Sequence, residues 1–346
     1  MKKYFTNIHK NKTYNLVVRI LIIFTTYYFI YAQIFKKKKL EEVVILFNEI
    51  IDQPHIYFFL TWTILLMIVN WGVESLKWQF LINKIEKISF GKAFEAVLAG
   101  VSVALFTPNR VGEWFGRVFI LDKANPWKGI VITMVGSFAQ LLTTIVVGSL
   151  SLLIYIPIYY KDSDLFSNYL YFGLILIVVV IITTLIIIFL NIKALPGFLT
   201  TFFEKRFPHF YEYISVISEY STFELAAVLI LSFLRYCVFT LQFYIILMLF
   251  SVNLPLIQGL IIISLVFFIM TAIPTVTLAE LGIRGSVSIF FIGSYFEKLG
   301  TLTDKITLGI VASSSTLWLI NLAVPAIIGT FFVYRLKFFR RHKDDD

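Results

Sequence analysis

Stretches of roughly 20 apolar residues recur along the whole chain. Each is long enough to cross a hydrocarbon core of about 30 Å as a helix. Residues 16–35, 57–81, 129–157, 169–190, 224–250 and 306–334 read as full spans. Two regions break the pattern. Residues 93–107 form an apolar run worth about 22 Å of helix, which Pro108 stops, and residues 109–121 are shorter still. Residues 255–293 are interrupted in the same way at Pro274. Short apolar arms on either side of a proline predict broken or re-entrant helical hairpins. The pattern therefore predicts an all-α polytopic integral membrane protein with about six full spans and two hairpins, about eight membrane units in all. Between the first two spans, residues 36–53 place Leu40, Val43, Val44 and Phe47 at helical spacing among charges, which fits a helix lying on the membrane surface. Residues 192–223 read as an interfacial connector, and Lys77 and Trp78 as the basic and aromatic edge of the second span.

Composition strengthens this picture. The chain is 59% hydrophobic and 15% charged, with mean hydropathy +0.85, whereas soluble chains average about 25% charged residues. One integral membrane domain is expected over residues 1–346, with halves at about 16–157 and 169–334 and a basic-then-acidic tail at 335–346. The net charge of +9 does not point to nucleic acid, because the basic residues cluster at segment ends. With both termini on the cytoplasmic side, Lys and Arg divide 18 to 7 in favour of the inner ends. The lysines at 36–39 run against that orientation. The N-terminal apolar run continues to residue 35 without a small-residue cleavage site, so it reads as an uncleaved span rather than a signal peptide. The single cysteine, Cys237, permits no internal disulfide. His9, His55, His209 and His342 share no ligand spacing, so neither a metal nor another cofactor is expected.

The two interrupted regions share a motif. PNRVGEWFGR (108–117) and PTVTLAELGIR (274–284) each carry a proline, a glutamate five or six residues later, and an arginine four beyond that. Glu113 and Arg117, like Glu280 and Arg284, are i,i+4 pairs that share one helix face. The glutamates are 167 residues apart, near half the chain, and the charge-based topology brings the hairpins in from opposite sides. Broken helices at matching places in two inverted halves point to a transporter-type site. A break at Pro108 and Gly112, or at Pro274 and Gly282, frees backbone N–H groups for an anion. An arginine beside them grips phosphate bidentately. Arg110, Glu113, Arg117, Glu280 and Arg284 are the candidate headgroup ligands, and Arg110 has no obvious local partner. The plain alternative is that each Glu–Arg pair satisfies itself and locks its hairpin, while Arg110 snorkels to headgroups. Glu74 and Arg235 are lone charges in or at the edge of spans; pairing with each other, pairing with the hairpins and capping the interface all stay open, and both are candidates for the pathway.

PNRVGEWFGRVFIL resembles the signature of the lysylphosphatidylglycerol synthase/flippase transmembrane family, through Pro108, Arg110, Gly112, Glu113 and Arg117. TAIPTVTLAELGIRGSVSIFF is similar to that family's later Pro- and Gly-rich segment, but departs from it. The family places an acid after the arginine, whereas here Gly285 follows Arg284 and the acid, Glu280, precedes it. The resemblance covers nearly the whole chain. It implies a flippase-like domain that moves lipids, aminoacylated phosphatidylglycerol among them, between leaflets. The chain ends twelve residues past the last span, so the resemblance implies transport without the family's soluble aminoacyltransferase domain.

The leading expectation is thus a non-enzymatic flippase or transporter for anionic phospholipids or polyprenyl-phosphate-linked lipids. Its expected place is a bacterial plasma membrane, in keeping with residue usage rich in Ile, Lys, Phe and Tyr. No phosphate-binding loop for ATP appears. Two alternatives stay open. One is an accessory subunit or enzyme in lipid-linked sugar transfer, beside a separate glycosyltransferase, where the first reading would place a separate aminoacyltransferase. The other is a small-solute or ion transporter.

Overall fold

The computed structural model describes residues 17, 20, 21, 24, 28, 56–105, 107, 110–160, 167–199, 208–273 and 277–333. The expected first span, the surface helix at 36–53, the tail at 335–346, and both Pro108 and Pro274 lie outside the described residues. Within them the chain is helical and has no strand.

The helices are α1 (Ile56–Ile82), α2 (Phe90–Ala104), α3 (Gly112–Val118), α4 (Pro126–Tyr160), α5 (Asn168–Leu190), α6 (Leu195–Leu199) and α7 (Pro208–Ser215). They continue with α8 (Thr222–Leu249), α9 (Leu256–Ala272), α10 (Thr277–Ser288), α11 (Ser294–Lys298), α12 (Asp304–Trp318) and α13 (Val324–Val333). One π-helical turn at Ile289–Gly293 joins α10 to α11, and a second at Leu319–Ala323 joins α12 to α13. Five helical stretches are long and apolar enough to cross a membrane: α1, α4, α5, α8 and the continuous α12–α13. Their starts are set by ordinary capping chemistry. Ser221 and Glu224 form a reciprocal box at α8, and Ser89 and Thr303 cap α2 and α12.

The first hairpin is re-entrant. Helix α2 has 15 residues and α3 only seven, about 22 Å and 10 Å. Neither crosses a 30 Å core. Gly100 of α2 faces Gly116 of α3, and a Cβ at Gly116 would stand 2.6 Å from the Gly100 Cα. Two glycines at one crossing bring the backbones into contact. Between the arms, Arg110 has a φ of +58°, which places it in the left-handed region. Gly112, expected at a helix break, is the first residue of α3, whereas Gly282, expected at the second break, lies inside α10. Gly112 is needed because a Cβ there would overlap the Val103 carbonyl across the hairpin.

Helix α2 is the centre of one apolar core, packed by α1, α3 and α13, and the first half of α4 joins it through α1 and α3. A second core joins α8, α9, α12 and the second half of α4. Helix α5 lies at the margin and joins the first core only near its C-terminal end, through Phe189. It buries only Val178 and Phe189 and exposes Leu170, Phe172, Leu176, Ile181 and Ile188. A face this apolar is a lipid-facing face. Lys77 and Trp78 correct the interface expectation, since both are 1% exposed and lie inside the bundle. Their helix runs on to Ile82, so they are not its end.

Outside the spanning helices, Glu86 ties two loops together. Its carboxylate accepts the backbone N–H groups of Asp122, Lys123 and Ala124 at 2.9, 2.7 and 2.9 Å, and Lys92 stands 3.1 Å away. Burial alone would raise its pKa, but the amide donors and Lys92 outweigh that and hold it below the ordinary carboxylate range.

Two outcomes follow from this packing. Gly329 of α13 abuts α2 so closely that a Cβ would overlap the Leu98 carbonyl and the Ser102 hydroxyl. Gly329→Ala is expected to destabilise the fold by about 1–3 kcal/mol, whereas Gly173→Ala on the open face of α5 leaves the melting temperature in detergent unchanged. For Glu86, a depressed folded pKa gives stability that is present above the unfolded value, about 4.3. That stability is lost as pH falls through the folded value. Melting temperature should therefore drop on acidification, and Glu86→Gln should flatten that part of the profile.

Candidate functional site: a charged cluster behind an arginine-walled cavity

Helix α1 carries Asn70, Glu74 and Lys77 at spacings of four and three, which is one polar stripe on an apolar helix. Glu74 is 4% exposed and is the hub of the site. Its Oε1 lies 2.7 Å from Arg117 Nη1, and its Oε2 lies 2.8 Å from Lys77 Nζ and 3.2 Å from Arg235 Nη1. Arg117 reaches Glu113 with its second terminal nitrogen. Arg110 Nη2 stands 3.8 Å from Glu113 Oε2. The arginine without an obvious partner in the sequence thus has a loose one in the fold.

Arg235 continues the network on its other side. Its Nε donates to Asn70 Oδ1 at 3.1 Å and its Nη1 to Gln140 Oε1 at 3.4 Å, and its guanidinium lies 5.3 Å from the Trp71 ring centroid. Asn70 donates to Asn321 Oδ1 at 3.3 Å, and Asn321 donates to Gln242 Oε1 at 2.8 Å. Asn321 sits within the π-helical turn between α12 and α13. Such turns re-aim side chains and are frequent at functional sites.

In front of this network lies a cavity of about 530 Å³. It opens where the two apolar cores meet, with Trp71 and Trp318 from one and Phe267 and Leu317 from the other on its walls. Arg110, Arg235 and Arg284 line it, together with a single carboxylate, Glu280. Glu280 pairs with Arg284 along α10. The structure therefore brings residues of both hairpins, Arg110 from the first and Glu280 and Arg284 from the second, onto one cavity. Glu113, Arg117 and Glu74 are not on its wall and form a supporting layer behind Arg110 and Arg235. Across the whole cluster, five cations (Lys77, Arg110, Arg117, Arg235, Arg284) face three carboxylates (Glu74, Glu113, Glu280), which leaves an excess of two positive charges.

The freed amides expected at the hairpin break are partly used by the protein itself. The Gly112 N–H donates to Thr107 Oγ1 at 2.8 Å. Charge on the cavity wall therefore comes from side chains. The sequence reading missed Lys77, Asn70, Gln140, Gln242 and Asn321. A signal was present in α4, where Thr133, Ser137, Gln140 and Thr144 form a stripe at helical spacing. Among the described residues no cluster of His, Cys, Asp and Glu fits a metal ion.

Residues 16–297 match the family described as the lysylphosphatidylglycerol synthase TM region. The chain belongs to that family, and both hairpins fall inside the matched segment. No curated protein and no solved structure matches the chain.

Removing one partner from a buried ion cluster leaves an uncompensated charge, a loss of about 3–5 kcal/mol. Glu74→Gln leaves Lys77 without its carboxylate and takes one carboxylate each from Arg117 and Arg235, and it is expected to lower the detergent melting temperature strongly. Lys77→Met leaves Glu74 with two arginines, so its effect should be clearly smaller. Equal effects would contradict the hub role of Glu74.

Proposed function

We propose that this membrane protein moves lipids with anionic headgroups between leaflets. The observation that carries this reading is the arginine-walled cavity between the two hairpins. Its volume of about 530 Å³ fits a headgroup rather than a whole lipid, since drug-sized ligand sites span about 300–1,000 Å³. The acyl or prenyl tails stay in the bilayer, while Arg110, Arg235 and Arg284 hold the phosphate. Arginine suits this task because its planar fork grips phosphate bidentately and keeps its charge when buried.

Each cation has its own share of the work. Arg235 is fixed by Asn70, Gln140 and Glu74, so it presents a steady charge. Arg110 has only a 3.8 Å partner and is free to turn toward a ligand. Arg284 must exchange Glu280 for the phosphate, which makes Glu280 a competitor that lets the headgroup leave again. A carrier needs binding that is favourable but not final.

Orientation follows from charge. Lys84–Glu224, Lys92–Asp122 and Lys128–Glu212 bridge the loops at one end of the bundle. These loops carry much of the Lys/Arg excess, which supports a cytoplasmic placement of that end and agrees with the expected cytoplasmic termini. A bacterial plasma membrane is the setting this reading assumes. Nothing in the mechanism calls for bond-making chemistry, and exchange runs downhill or follows an ion or the membrane potential.

In liposomes, the purified protein is expected to exchange labelled phosphatidylglycerol between leaflets faster than labelled phosphatidylcholine. Arg284→Gln and Arg110→Gln each remove one charge-assisted contact of about 1.5–3 kcal/mol, a loss of roughly tenfold or more in rate. Absence of exchange for every anionic lipid, with the protein folded, would refute the carrier reading. It would favour a subunit that holds a polyprenyl phosphate for a separate glycosyltransferase.

A further inference from the structure

Lys77 is the cation of the cluster that neither lines the cavity nor ties two helices together. Arg117 joins α3 to α1, and Arg235 joins α8 to α1. Lys77 meets only Glu74, one turn away on its own helix, and is 1% exposed. Its Nζ lies 2.8 Å from Glu74 Oε2, and among the described residues no other acceptor reaches it. An ammonium has three N–H donors, so two of them lack an acceptor. For a permanent charge inside a membrane bundle that is an expensive state. The stem is seated against Gly136 of α4, where a Cβ would stand 3.7 Å from Lys77 Cε.

The surrounding charges suggest what this lysine does. Lys77 shares one carboxylate oxygen, Glu74 Oε2, with Arg235, which lies 3.2 Å from it. Arg235 lines the cavity and Lys77 does not. That oxygen therefore links the cavity wall to the buried amine. The other charged side chains on the elements around Lys77 have their own places. Glu113 of α3 holds Arg117, with Arg110 beside it. Lys92 and Glu95 of α2, Lys128 of α4 and Glu224 of α8 lie in the first two turns of their helices. Helix α13 carries no charge, and Glu280 pairs with Arg284 on the cavity wall. The cluster keeps its excess of two positive charges. Protonating a carboxylate would increase that excess, whereas losing a lysine proton lowers it. Of the five cations only the lysine can act as a base, since arginine keeps its proton.

We propose that Lys77 is a proton-binding site coupled to the arginine-walled cavity. With the cavity empty, Lys77 is a neutral amine. As an anionic phosphodiester settles on Arg235, the amine takes a proton from water. Its nitrogen lone pair forms the new N–H bond, and hydronium is left as water. The reverse step returns the proton when the headgroup leaves. The coupling runs through Glu74. A phosphate on the cavity side of Arg235 supplies negative charge to the same guanidinium, which leaves more of Glu74 Oε2 for Lys77. Lipid and proton then bind together, and a proton gradient can drive the exchange in one direction. The proposal rests on the anionic-headgroup reading and assigns the ion that drives it.

The test is a calorimetric titration of the detergent-solubilised full chain with dihexanoyl phosphatidylglycerol, in buffers of different ionisation heat. The dependence of the binding heat on the buffer counts the protons taken up. Uptake approaching about one proton per lipid is expected, so affinity falls as pH rises, by at most about tenfold per pH unit. Lys77→Arg keeps the charge but cannot give up a proton. In that variant the uptake should vanish and the affinity should no longer follow pH. Lys77→Met, neutral throughout, should behave the same way, whereas Glu280→Gln should keep the uptake. Lipid binding without proton uptake in the unaltered chain would overturn the proposal and leave the headgroup reading standing. Uptake that persists in folded Lys77→Arg and Lys77→Met would also overturn it, because another group then carries the proton. If the folded protein binds no phosphatidylglycerol, the headgroup reading falls and the proposal falls with it.

Discussion

The carboxylate of Glu74 is the interaction on which the rest depends. A charge inside a bilayer-spanning bundle survives only where partners replace the water it has lost. Glu74 accepts Arg117 from the re-entrant hairpin, Lys77 from its own helix and Arg235 from α8. These contacts fix the depth at which α3 stops, the face that α1 turns inward, and the rotation of α8. Arg110 and Arg235 reach the cavity because this layer stands behind them. The glycine contact between Gly100 and Gly116 gives α3 its close seat on α2, and the ion cluster then sets which way its side chains point.

The two hairpins repeat a motif but not its surroundings. Glu113 and Arg117 belong to a network of four further charged groups, whereas Glu280 and Arg284 have each other on the cavity wall. The first pair is structural in effect, because its arginine is 4% exposed and held from two sides. The second faces the cavity and is held by one bond. On the proposed reading, a site that binds and releases a phosphate has use for one rigid half and one exchangeable half. This division also explains why the excess of positive charge is felt in the cavity rather than neutralised behind it.

Much of the architecture was legible in the sequence, because apolar run length is a direct physical consequence of bilayer thickness. The spans at 57–81, 129–157, 169–190 and 224–250 and the short arms of the first hairpin come out within a few residues of α1, α4, α5, α8 and α2–α3. The pairing of Glu113 with Arg117 and of Glu280 with Arg284 was legible from i,i+4 spacing alone. For Glu74 the sequence offered Arg235, the hairpins or the interface without choosing, since 43 residues separate it from Arg117 and helix rotation decides the meeting. Lys77 was misread as an interfacial anchor because a lysine near the end of an apolar run has that role far more often. Gly112 stands at the start of α3, where the break was expected, but its close contact with α2 was not legible. A glycine after a proline reads as a break; that it also serves as a contact surface for the Val103 carbonyl depends on how the arms pack.

The central claim is that the cavity between the hairpins recognises an anionic headgroup through arginines from both. A ligand that binds only the folded state raises its stability by mass action. The most direct measurement is therefore the melting temperature of the detergent-solubilised protein with dihexanoyl phosphatidylglycerol or dihexanoyl phosphatidylcholine, for the unaltered chain and for Arg284→Gln. The account predicts a concentration-dependent rise with phosphatidylglycerol alone, and its loss in the variant. The same shift with both lipids, or a shift that survives the loss of Arg284, would contradict it.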